Sequence, residues 1–121
     1  MDVTDQLEDH QERCLPHLLT LRMLARVTPE VPHPWLALAE VTRATEAILA
    51  EVAAAVGDVT GGGPDGTGVG IFLGTRLSRL AASADDAIAA AWAGDFTQLR
   101  GHLRRFDTLT SAIWAVLDPS R

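Results

Sequence analysis

Apolar side chains recur along this chain at spacings of three and four in four long segments, and no stretch alternates with a period of two. That is the signature of amphipathic helices burying one stripe each, not of strands. The first segment, about 3–27, carries Val3, Leu7, Cys14, Leu18, Leu21 and Leu24/Ala25. The second, about 34–56, carries Leu38, Val41/Thr42, Thr45, Ile48/Leu49, Val52 and Val56. The third, about 71–93, carries Phe72/Leu73, Leu77, Leu80, Ala84, Ile88 and Ala91/Trp92. The fourth, about 95–117, carries Phe96, Leu99, Leu103, Phe106, Thr110, Ile113 and Leu117. Four helices of about 35 Å each, joined by short connectors, predict an all-α, antiparallel up-down four-helix bundle. It is built as two αα-hairpins within a single domain, 1–121. The same pattern fits a dimer in which hairpins from two chains pair or swap.

Punctuation between the segments supports this division. Three prolines, Pro29, Pro32 and Pro34, end the first helix, and Pro34 suits the first turn of the second. Gly57 is a natural stop, and seven of the chain's ten glycines fall in 57–70, which predicts a flexible connector between the hairpins. Gly94 closes the third helix. Asp95, with Gln98 three residues on, forms a capping-box pattern that opens the fourth. Asp118-Pro119 ends it. Pro16 sits inside the first pattern and predicts one helix kinked there, with a break that leaves 2–15 as a short arm as the alternative.

Charge refines the picture. The chain carries a net charge of −6, its ten basic residues are all Arg, and it has 19 Ala but no Lys, Asn or Tyr, usage that suggests a GC-rich bacterial coding sequence. Residues 1–60 hold ten carboxylates against four Arg, whereas residues 61–121 hold six of each. So acidic a chain argues against general nucleic-acid or anionic-membrane binding, since phosphate contacts need a positive field. Four charges interrupt the longest apolar stretch, 34–56, which excludes an ordinary membrane span. One cysteine leaves no internal disulfide, and Met-Asp-Val-Thr-Asp opens no signal peptide, so a cytoplasmic location is expected.

Candidate chemistry is sparse. Gly61-Gly-Gly-Pro-Asp-Gly66 formally matches the dinucleotide fingerprint, but no strand precedes it. Read as a phosphate loop it lacks the lysine, and no basic residue lies between Arg43 and Arg76, so a linker is the better reading. His10, Cys14 and His17 share one face of the first helix, at a spacing that could ligate a transition metal such as Zn or Ni, with His102 as a conceivable fourth ligand. Pro16 disturbs that geometry, and a lone cysteine on an apolar stripe is usually core. Catalytic use of Cys14 with a histidine would need an oxyanion donor and an orienting group, and neither is evident.

Two surface features bear on partners. Arg76 and Arg79 on the third helix and Arg100, Arg104 and Arg105 on the fourth form a positive patch, which reads most simply as a solvated face, or else as the complement of the acidic first hairpin. Trp35, Trp92, Phe96 and Met23 fall at one end of the bundle, as a core plug or, alternatively, a partner surface. These features predict a non-enzymatic protein acting by protein–protein association, with itself as a homodimer or as an accessory or regulatory subunit. A small-molecule or metal-binding bundle is the alternative. No cofactor is expected on the first reading.

Overall fold

A computed structural model describes residues 3–26, 34–60 and 68–117. They form α1 (Val3–Arg26), α2 (Pro34–Thr60), α3 (Gly68–Ala93) and α4 (Phe96–Leu117). Helices adjacent in sequence pack against each other, α1 also packs against α4, and α2 touches α4 across the diagonal. This is the antiparallel four-helix bundle that the apolar periodicity predicts. No helix among the described residues is long and apolar enough to cross a membrane.

The core follows from the stripes. Leu7, Cys14, Leu18 and Leu21 from α1 meet Val41, Ile48 and Val52 from α2, Leu73 and Leu80 from α3, and Leu103, Phe106 and Ile113 from α4. Alanine fills the remaining core positions of α3 at Ala84, Ala87, Ala90 and Ala91. Two threonines are fully buried. Thr45 and Thr110 stay satisfied because their Oγ1 donates to the carbonyl one turn back, on Val41 (2.7 Å) and Phe106 (2.9 Å).

The junction of α3 and α4 is built as its residues predict. Gly94 takes φ +72°, a conformation that glycine adopts at no steric cost. Its N–H donates to Ala91 O and that of Asp95 to Ala90 O, the paired bonds of a Schellman motif. Asp95 Oδ1 then accepts the Gln98 N–H at 3.1 Å, capping α4.

Two boundary expectations change. Gly57 does not stop α2, which runs on through Thr60. Thr60 Oγ1 donates to Val56 O, and Asp58 on the added turn bonds back to α1, so tertiary contact outweighs the intrinsic cost of glycine in a helix. α3 starts at Gly68, before the expected 71. The predicted linker is thereby shortened to 61–67, which lies outside the described residues together with the glycine fingerprint. At Pro16 the expected single helix is kept and the alternative of a break is not: α1 is continuous from Val3 to Arg26. Pro16 and Glu12 are both exposed, so the Glu12 carbonyl that loses its donor lies toward water.

The expected core plug is also corrected. Trp92 is 70% exposed and Met23 62% exposed, while Phe96 is partly buried against the core. Ala91 takes the core position on the last turn of α3, and Trp92, about 100° further round the helix, points outward. The Trp35 side chain lies outside the described residues.

Candidate functional site

Of the histidine–cysteine set, the structure places His10 and Cys14 in the interface of α1 with the bundle and brings neither to a ligand cluster. Cys14 is fully buried, and burial pushes its thiol up to about 11. At that value the thiolate needed for ligation or attack is scarce at neutral pH. His17 and His102 are half-buried. The His102 carbonyl accepts a bond from Ser83 Oγ at 3.4 Å. Among the described residues no group of three or more His, Cys, Asp or Glu side chains is placed to hold a metal ion.

What His10 does instead is clasp α1 to α2. Its Nδ1 lies 2.6 Å from Glu51 Oε2 and its Nε2 2.8 Å from Asp58 Oδ2. Glu51 and Asp58 stand seven residues, about two turns, apart on one face of α2 and reach the ring from either side. Arg13, one turn along α1, donates Nε–H to Glu51 Oε1 at 2.9 Å, and its Nη2 lies 3.0 Å from His10 Nδ1. A ring nitrogen cannot donate to Glu51 and also accept from Arg13. The shorter contact to Glu51 favours the doubly protonated ring, which donates to both carboxylates. Burial lowers the His10 pKa, but the bonds to Glu51 and Asp58 outweigh it and leave the pKa raised. Glu51 is lowered, chiefly by the bond from His10. Two cations face two carboxylates, so the cluster is balanced internally. A clasp of this kind holds helices together.

The Arg patch is divided. Arg76 sits with Cζ 4.7 Å from the Phe72 ring centroid on its own helix. Arg104 turns toward α1 and lines, with Arg22, Arg26 and Asp107, a groove of about 410 Å³ between α1 and α4. Arg79 and Arg105 are exposed, and Arg100 is half-buried. Arg104 and Arg105 diverge by about 100° around α4, so the five arginines do not converge on one site. Arg22 holds Asp107 through two bonds, Nε to Oδ2 at 2.9 Å and Nη2 to Oδ1 at 3.1 Å, tying α1 to α4.

The face that periodicity did not predict is the outer side of α1. Leu15, Leu19 and Met23 are 49%, 54% and 62% exposed, one turn apart in sequence. Beside them a second groove of about 310 Å³ runs between Gln11, Leu15 and Leu18 on α1 and Ser111, Trp114 and Ala115 on α4. Gln11 Oε1 on its wall is buried with no hydrogen-bond partner. A pattern search that assigns each helix a single buried stripe passes over these leucines, because they fall between core positions. Their signal is that apolar residues remain at i, i+4 and i+8 after the core stripe has been accounted for. No family model, curated protein or solved structure matches this chain.

Proposed function

We propose that this protein is a non-enzymatic association module of the cytoplasm, a helical bundle that works by presenting the outer face of α1 to another protein surface. The observation that carries this is the exposed stripe Leu15, Leu19 and Met23 continuing into the groove walled by Trp114. Large apolar side chains gathered in one patch, with an aromatic at its edge, are what protein interfaces use, whereas single scattered ones mean nothing. The buried chemistry supports the same reading. The thiol is withdrawn into the core with its pKa raised to about 11, and both nitrogens of His10 are committed to carboxylates.

The test is purification of the tagged full chain from its native host, with stoichiometry read by native mass spectrometry. The reading expects a stoichiometric complex, with itself or with another protein, that Leu19→Glu or Met23→Glu abolishes while circular dichroism stays helical. A chain recovered alone, or a complex that survives both substitutions, overturns it.

A further inference from the structure

The outer face of α1 has an order that identifies its occupant. Glu8, Glu12, Leu15, Leu19, Arg22 and Arg26 succeed one another at spacings of four, three, four, three and four. That is a complete heptad seam, distinct from the one facing the core. Five of the six are exposed, and Arg22 is half-buried. Along the helix the seam reads acid, acid, apolar, apolar, base, base. It is therefore its own complement when reversed. Laid antiparallel against a copy of itself, Leu15 meets Leu19 of the second copy, Glu12 meets Arg22, and Glu8 meets Arg26, each pair occurring twice about a two-fold axis.

Resting on the association role proposed above, we infer that the partner of this face is a second copy of the same chain, docked α1 to α1, antiparallel, about an axis midway between Leu15 and Leu19. A closed two-fold interface requires a self-complementary patch of this kind. The parallel arrangement is excluded by the same residues, since it sets Glu8 and Glu12 against their own copies and Arg22 and Arg26 against theirs. In the antiparallel register the Leu19 knob opposes Leu15 at the mouth of the groove walled by Trp114, and Met23 opposes Gln11. Asp107 already holds Arg22, so the pair Glu8–Arg26 carries the charge discrimination. Both are exposed, and a change at either does not disturb the core.

Charge exchange tests this. Sedimentation velocity over a concentration series, at low salt so that rim charges are not screened, is run on the purified full chain, Glu8→Arg, Arg26→Glu, the double variant and Leu19→Glu, with helicity checked by circular dichroism. The wild type is expected to dimerise. Leu19→Glu is expected to be monomeric. Each single reversal, which creates two like-charge contacts, should weaken the dimer about tenfold or more, and the double reversal should return it to within about threefold of wild type. Recovery in the double variant is the signature of antiparallel self-pairing, because a different partner would not be altered to match. Singles that weaken without recovery, or a dimer indifferent to all four variants, overturn the register. A wild type that is monomeric at every concentration overturns the second copy as occupant. If the host complex is then heteromeric and sensitive to Leu19→Glu, the broader association role stands without it.

Discussion

His10 is the residue at which pH reaches the fold. The cluster of His10, Glu51, Asp58 and Arg13 ties α1 to α2 through side chains at 2.6–2.9 Å. The raised His10 pKa means that the folded chain holds this proton more tightly than the unfolded one. Its contribution is complete below the ordinary 6.5 and is lost as pH rises through the higher folded value. Glu51 works in the opposite sense: its lowered pKa contributes above the ordinary 4.5 and is lost as pH falls through the folded value. The clasp is strongest between those two ordinary values. His10→Gln should therefore cost about 1–2 kcal/mol inside that window, and less once pH has risen through the raised folded value, where wild type has lost the proton as well. Urea unfolding of both proteins across pH checks this, and a difference that is flat with pH would mean the ring packs without its charge. Cys14 offers a second check on the same helix. With the thiol buried and its pKa near 11, a thiol reagent should label it only at the rate of unfolding, and labelling within mixing time would place it outside the core.

At the scale of elements, the α3–α4 junction is where a short stretch of sequence carries the most structural information. Gly94 needs its left-handed φ for the Schellman bonds, and Asp95 is both the end of one motif and the cap of the next helix. Gly94→Ala should cost about 1 kcal/mol from the backbone strain alone, because a Cβ there meets no other atom. Asp95→Ala should cost about 1 kcal/mol through the lost cap, and Asp95→Asn little, both read from urea midpoints. These residues were legible because the information is local: turn chemistry and capping depend on neighbours in sequence. The buried stripe of α4 was legible for a related reason, since all six of its buried residues, Leu99 to Leu117, lie on one unbroken 3.6-residue period. Legibility failed where two adjacent residues competed. Ala91 and Trp92 both fit the pattern, and periodicity alone does not choose between neighbours; the structure buries Ala91 and leaves Trp92 exposed. It failed again at Gly57, where a bond from another helix to Asp58 sustains a turn that local propensity would end. The clasp itself was hidden because Glu51 and Asp58 lie more than forty residues from His10, and a metal-ligand spacing on α1 was the nearer explanation of the same histidine.

For the whole molecule, the question is how the bundle's stability divides between the chain and its assembly. Phe106 is fully buried at the centre of the core, and Phe106→Ala should cost about 3–5 kcal/mol at any protein concentration. Leu19 is half exposed in the single chain, so its truncation should cost almost nothing there. In a dimer the balance changes, because only folded chains bind one another and mass action then adds stability as concentration rises. The wild-type melting midpoint should therefore climb on passing from about 1 to 100 μM chain, while Leu19→Glu should melt at one temperature throughout. Phe106→Ala should show a lower midpoint that still climbs, since its defect lies in the core and leaves the outer face of α1 in place. That contrast separates two kinds of damage which a single melting curve would confuse. A wild type whose midpoint is independent of concentration, with Phe106→Ala lowered by the same amount at each, would mean that the four helices supply all of the stability within one chain, and that the seam Glu8 to Arg26 answers to a surface other than its own.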